Sequence, residues 1–256
     1  MKWKVILFAG GKCKKALKKV TGVNYRAMIK LQSKPIVLPA LQSFLNCPDI
    51  DEISIYAPEG LDKALKPFLG DDINRINFLK LHKGGLSSQV KDAISRCQEN
   101  DNLVLAAADL PLVNASAITS LLKSAESLSG IVYPMISRSS LDLNLVKNRT
   151  YLRTPEGQFT GGNVILGKIH EFERVVNFLD SLIENRKNPV ALAKLIGLGF
   201  VFGIITGTKS LKQISSDIKN RLGINLTPYK TDAFGLGVDL DKLSDYLVFQ
   251  KLFDED

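Results

Sequence analysis

"VILFAGGKCKKALKKVTGVNYRAMIKLQSKPIV", residues 5–37, decides how this chain folds. It opens as a continuous apolar run, Val5 to Ala9, which suits a strand covered on both faces. The run breaks at Gly10-Gly11, a lysine-rich stretch follows, and the apolar pattern resumes at Ala27. Glycines after a buried strand let the backbone approach a ligand closely, and successive N–H groups can form an anion-binding nest. The stretch therefore reads as a loop wrapping polyphosphate or as a solvated surface turn. Neither GxGxxG nor GxxxxGK[ST] occurs, so the Rossmann dinucleotide fingerprint and the P-loop are both missing.

Outward from this stretch, strand-like and helix-like segments alternate. "EISIYAP" (52–58), "INFLKL" (76–81), "NLVLAAAD" (102–109) and "GIVYPMI" (130–136) read as further strands. Between them, "IVLPALQSFLNC" has helical spacing, with Pro39 tolerable in a first turn. "SSQVKDAISRCQE" (87–99) reads as a helix with serine at its start, and "NASAITSLLKSAES" as a helix capped by Asn114 or Ser116. This alternation predicts βαβ units and a mainly parallel sheet with helices on both faces. In such sheets ligands bind beyond the carboxyl ends of the strands, which places Gly10-Gly11, Gly84-Gly85 and Asp109 on one rim. After residue 136 a hairpin-rich excursion turns at Pro155-Glu156-Gly157 and returns through "NVILG". A helix (168–183), a mostly helical stretch, a short strand and a final amphipathic helix complete the expectation. The whole, 1–256, reads as a single domain carrying a helical insertion at 184–230.

The 256 residues carry 45% hydrophobic and 23% charged residues, an ordinary globular balance. No apolar run is long enough to span a membrane. Three widely spaced cysteines without CxxC pairing and two histidines offer neither a disulfide framework nor a zinc constellation, and fit a reducing cytoplasm. The net charge of +8 is not gathered into a tract with interleaved aromatics, apart from Lys12, Lys14, Lys15, Lys18 and Lys19 beside the glycine pair. That distribution speaks against nucleic acid and for small phosphorylated ligands. Cys13 lies in the basic loop with no histidine near in sequence to make a nucleophile pair, and His82 and His170 read as surface residues. The most apolar region, "VALAKLIGLGFVFGIITG", reads as a packed helical hairpin or as an apolar contact surface, including one for a homodimer.

Asp109 ends an apolar strand, where a carboxylate is costly to hold unless it meets a cation or a helix N-terminus. Its competing role is to cap the turn before the helix at 114–127. "GVDLDKLSDY" places Asp239 and Asp241 on one face of an extended segment, and Asp241 could instead cap the final helix.

The opening strand with "AGG", the basic loop, "YRAMIKLQSKPI" and "ADLPL" together resemble the nucleotidyltransferases of the GT-A-like fold, specifically the molybdenum cofactor guanylyltransferase-like NTP transferases. The resemblance covers about 1–168 and 230–256. It implies a three-layer, Rossmann-like sheet of GT-A type. It also implies transfer of a nucleotide from a nucleoside triphosphate to a phosphorylated small-molecule acceptor, with release of pyrophosphate. Mg²⁺ would be held by Asp109 of the "DxPL" motif and by Asp241, with Asp239 beside it. Arg26 takes the place of the family's phosphate-contacting lysine, keeping the charge but changing its shape. Arg26, Asp109 and Lys12 are the implied catalytic residues. Phe8, Ala9, Gly10, Gly11, Lys12, Lys14, Arg26, Gly84, Gly85, Ser88, Gln89 and Ala108 would bind the nucleotide. "FTGGN" places Thr160, Gly161, Gly162 and Asn163 in the acceptor half of the cleft, although a plain β-turn fits it too. The departures are Ser33 for a glycine, a missing arginine after the glycine pair and Gln89 for an asparagine. Two other functions stay open: a GT-A-type glycosyltransferase using "DLD" at 239–241, and a nucleotide-sensing protein with weak or no turnover.

Overall fold

The computed structural model describes residues 1–141, 150–176 and 198–254. Its central sheet runs β5-β4-β1-β6-β10-β7-β9-β8, with one further strand, β11, pairing β7. The strands are β1 (Trp3–Phe8), β4 (Ile50–Ala57), β5 (Ile76–Lys80), β6 (Asn102–Ala107), β7 (Ile131–Ser137), β8 (Leu152–Thr154), β9 (Gly157–Gly161), β10 (Val164–Lys168) and β11 (Leu226–Thr231). β1 pairs β4 and β6 in parallel, and β4 pairs β5 in parallel. β10 runs antiparallel to β6 and β7, so the sheet is mixed but mostly parallel where the site forms. A separate hairpin of β2 (Lys30–Leu31) and β3 (Lys34–Pro35) turns through Gln32 and Ser33, both at positive φ. Ser33 thus bears a left-handed backbone that glycine would adopt without strain.

The period of two explains the layering. Val5 and Leu7 of β1 point into one core with Val104 and Ala106 of β6; Ile6 points into the other with Leu103 and Leu105. The first face is covered by α2 (Leu38–Leu45), α3 (Leu61–Leu69), α5 (Ala115–Ser127) and α9 (Leu243–Asp254), through Phe44, Leu65, Leu121 and Phe249. The second is covered by α4 (Gly85–Ser95), by helix α6 over 169–176, by α7 (Leu198–Thr206) and by α8 (Leu211–Leu222). Val90, Phe172, Phe200 and Ile214 pack there.

Several expectations shift. The lysine-rich stretch is not all loop, because Lys15–Thr21 forms α1, buried only through Leu17 and ended by Gly22 at positive φ. α4 begins at Gly85, and no side chain caps it, so Ser87 and Ser88 lie inside the helix. Asn114, not Ser116, caps α5, its Oδ1 accepting the Ala117 N–H at 2.9 Å. Within 184–230, residues 184–197 lie outside the described residues. Of the rest, 198–206 and 211–222 are helical, but 226–231 joins the sheet as β11 in parallel with β7. Residues 177–183 of the expected helix also lie outside. The expected short strand near 237–241 does not form: the segment crosses the rim held by isolated main-chain bonds, with α9 following. Among the described residues no helix is long and apolar enough to cross a membrane.

Candidate active site

The carboxyl ends of β1 and β6 are drawn together by main-chain bonds. The Ala108 N–H donates to the Phe8 carbonyl at 3.2 Å, the Ala9 N–H to that of Tyr56 at 2.9 Å and the Ala107 N–H to that of Asn163 at 2.9 Å. Ala9 and Ala108 are buried in the first core and their N–H groups are used in these ties, so neither is offered to a nucleotide. After β1 the chain turns back. The Arg26 N–H donates to the Gly11 carbonyl at 2.8 Å and the Cys13 N–H to that of Asn24 at 2.8 Å. This folds residues 10–14 over 24–26 and aims the Arg26 guanidinium at the rim.

Neither Gly10 nor Gly11 has positive φ, so the backbone alternation of an anion nest is not what requires glycine there. Space requires it. A Cβ at Gly10 would stand 2.8 Å from Leu81 Cδ2, and one at Gly11 2.6 Å from Arg26 Nη2.

Arg26 is the centre of the charge cluster. Its Nε lies 2.9 Å from Asp109 Oδ2, and its Nη1 donates to Asp241 Oδ1 at 2.8 Å with Asp239 Oδ2 at 4.0 Å. Lys14 Nζ donates to the other oxygen of Asp241. Asp241 reaches this place because the Leu240 N–H donates to the Asp109 carbonyl at 3.4 Å, tying the closing segment across the end of β6. The helix-capping alternatives are filled by other residues. Asn114 caps α5, and Asp245 Oδ2 accepts the N–H groups of Asp241 and Lys242 ahead of α9. Both aspartates face the guanidinium instead.

The Asp109–Arg26 contact is close in distance yet not aligned as a hydrogen bond: Asp109 Oδ2 and Arg26 Nε are both buried and otherwise without a hydrogen-bond partner. Burial pushes the Asp109 carboxyl up to about 6 against the opposing charge of Arg26, and Asp239 and Asp241 add to the rise. At the more open Asp241, burial acts upward too, but the Lys14 hydrogen bond and the Arg26 charge outweigh it and hold the group below the ordinary carboxylate range. Burial raises the Cys13 thiol even beside Arg26, so Cys13 is not an activated nucleophile.

A cavity of about 530 Å³ opens at this rim. Phe8, Gly10, Gly11, Arg26, Gly85, Gln89, Asp109, Gly162 and Asn163 line it, so the structure brings together nine of the residues expected from sequence. Lys12 is exposed, in a lone bridge with Tyr25, and lies outside the lining. Gly84 is exposed and outside the lining, with Ser88 Oγ 2.0 Å from where a Cβ would stand. Thr160 is buried in β9 and paired with Ile136, and Gly161 lies beneath the Tyr133 hydroxyl. Of the four residues expected from "FTGGN", Gly162 and Asn163 line the cavity and Thr160 and Gly161 do not. Lys14, Asp239 and Asp241 join through Arg26. The uncapped N-terminus of α4 meets the cavity at Gly85 and Gln89, a setting that favours an anion. Sequence reading missed the apolar lining, including Leu86, Val90, Leu105 and Phe172. The period-two alternation of β6, with Leu103 and Leu105 on one face, hinted at which residues share it.

For a divalent cation, the buried, unaligned Asp109 Oδ2 and the half-exposed Asp241 are hard oxygen donors on two sides of one guanidinium. Among the described residues no three acidic, histidine or cysteine side chains close a cage by themselves. That suits Mg²⁺, which takes one or two carboxylates and leaves its other positions to phosphates and water.

A glycine turn after β1, a cation behind it and paired aspartates at the ends of β6 and the closing segment define a nucleotidyltransferase of the GT-A-like type. A family model of MobA-like NTP transferase domains matches residues 5–162, and the chain belongs to that family. Among solved structures it is similar to a hypothetical transferase from Thermus thermophilus, at 25% identity and TM-score 0.79, covering 96% of this chain and 99% of that one. Two others share the fold. One is CMP:2-keto-3-deoxy-manno-octonic acid synthetase solved with CTP, with 11% identity, TM-score 0.63 and coverage of 100% and 99%. The other is 4-diphosphocytidyl-2C-methyl-D-erythritol synthase from Anaerococcus prevotii, with 8% identity, TM-score 0.58 and coverage of 99% and 99%. None of the curated proteins matches the chain.

Proposed function

We propose that the protein transfers a nucleoside monophosphate from a nucleoside triphosphate to a phosphorylated small-molecule acceptor, releasing pyrophosphate. The observation that carries this reading is the contact of one guanidinium, Arg26, with two aspartates from distant parts of the chain, Asp109 and Asp241, beneath the glycine turn. Asp109 and Asp241 would hold Mg²⁺, with Asp239 beside them; when bound, the metal orients and polarises the α-phosphate. The residue 10–14 loop, with Lys14 and Arg26, holds the β- and γ-phosphates and meets the charge that develops on the leaving pyrophosphate. Gly162 and Asn163 place the acceptor. Its phosphate oxygen forms the new bond to the α-phosphorus as the bond to pyrophosphate breaks. A phosphate monoester is already anionic, so no general base is required, and catalysis is positioning and charge stabilisation. The chain acts as one domain, with 184–230 as an insertion whose end returns to the sheet.

Pyrophosphate release from the four common nucleoside triphosphates, with Mg²⁺ and a panel of sugar, polyol and other phosphate monoesters, tests the reading. Release that depends on acceptor and is lost in Asp109→Ala supports it. Cleavage of sugar nucleotides without use of triphosphates would make the protein a glycosyltransferase. Binding of triphosphate without turnover would make it a sensor.

A further inference from the structure

The cavity is polar at one end only. Among the described residues that line it, Arg26 and Asp109 are the only charged groups and Gln89 and Asn163 the only other polar side chains, all near the rim. Inward, the lining becomes Ile94, Leu105, Ile131, Ile165, Phe172 and Val176. The geometry makes this a slot. Leu105 and Ile165 form its floor on the second face of the sheet, α4 is one wall and α6 the other. Val132 and Val104 both pair Leu166, so Ile131 stands level with Leu103, six strand positions from Asp109. At about 3.3 Å per residue the slot runs roughly 20 Å from the rim.

Two arguments say what such a slot takes. The described aliphatic side chains that line the inner part of this open cleft gain free energy when an apolar ligand covers them. A nucleobase does not suit the inner end. Its polar edge must be hydrogen-bonded when buried, and among the described residues the inner lining has no polar side chain to meet it while the sheet's main chain is committed to its ladders. The nucleotide therefore belongs at the rim and hydrocarbon within.

We propose that the acceptor is a phosphate monoester of an apolar chain, its phosphate at Gly162 and Asn163 and its hydrocarbon in the slot between α4 and α6. This rests on the nucleotidyl-transfer reading and names its acceptor. The acceptor's phosphate oxygen bonds to the α-phosphorus, pyrophosphate leaves, and the product is a nucleoside diphosphate bearing the chain. α7, which packs against β8 at the edge of the sheet, adds an apolar surface on the same face. Phe200 and Ile204 pack into the same core, while Phe202 and Ile205 are 68% and 67% exposed. The amphiphile can arrive as a free monomer or from a bilayer.

The test measures pyrophosphate release with unbranched alkyl monophosphates of increasing length. Each is offered below its aggregation concentration or embedded in neutral phosphatidylcholine vesicles, with sugar phosphates for comparison. The proposal predicts a KM falling about fourfold per added methylene until the slot is full. Val176→Trp, which narrows the slot, moves the optimum to shorter chains. Turnover with monomers identifies a free acceptor; turnover only with vesicles identifies a bilayer one. A fluorescent fatty-acid analogue, displaced by long but not short alkyl phosphates, reads the slot without turnover. Sugar-phosphate turnover with no chain-length dependence and no displacement overturns the inference and leaves nucleotidyl transfer standing. Loss of all turnover and of triphosphate binding, with displacement intact, overturns the transfer reading while the slot stands; failure of displacement as well overturns both.

Discussion

Asp109→Asn should stabilise the metal-free protein while removing its function. Asp109 is 5% exposed, and its carboxyl titrates at about 6 in the fold against 3.8 ordinarily. A folded pKa above the unfolded one means that the native state holds the proton more tightly between those values. Native stability contributed by this group therefore falls as pH rises through the window from about 4 to about 6, then levels off. The charged carboxylate costs at most about 3 kcal/mol above that window. The amide removes the cost, and Arg26 keeps Asp241 at 2.8 Å, so no buried cation is orphaned. Urea unfolding in EDTA, run at about pH 5 and about pH 7.5, measures the effect. The variant's advantage should widen by about 1.4 kcal/mol between those two conditions. At the higher pH, melting should rise by several degrees. A variant less stable than the wild type at the higher pH, or an advantage that does not change with pH, would refute the reasoning.

Arg26→Ala leaves three carboxylates facing one another without the guanidinium, and it should cost roughly 2–3 kcal/mol at neutral pH by denaturant unfolding. Arg26→Lys keeps the charge but loses the fork that spans Asp109 and Asp241, so it should restore stability partly and raise KM for the triphosphate. Two glycines should separate site from scaffold. Gly11→Ala presses on the Arg26 guanidinium, whose atoms are its nearest neighbours, so it should weaken triphosphate binding more than folding. Gly235→Ala sets a Cβ 2.1 Å from the Leu112 carbonyl oxygen and should lower stability by roughly 1–3 kcal/mol, read by thermal melting.

Much of this was legible in sequence because buried parallel strands are written as uninterrupted apolar runs. Val5–Ala9 and the run before Asp109 marked the central strands and their ligand-facing ends. Asp109 and Asp241 were found through a motif resemblance. That both meet Arg26 was not legible, since it depends on the Leu240–Asp109 main-chain tie across 131 positions. β11 was missed because "LTPYKT" is half-exposed and carries Pro228, the signature of an edge strand and not of a core one. Serine near the start of α4 suggested a cap, but Gly85 at positive φ starts the helix earlier. Lysines 15, 18 and 19 read as loop, yet one buried leucine suffices to dock their helix. The slot is tertiary: its floor, α4 and α6 come from three separated segments.

The central claim is that Asp109 and Asp241 share one divalent ion with a nucleotide's phosphates. Electron spin resonance of free Mn²⁺, used in place of Mg²⁺, tests it during titration with protein and a non-hydrolysable triphosphate analogue. The account predicts one tightly held ion that requires the nucleotide and is lost in both Asp109→Asn and Asp241→Asn. Equal Mn²⁺ retention by the wild type and both variants would contradict it.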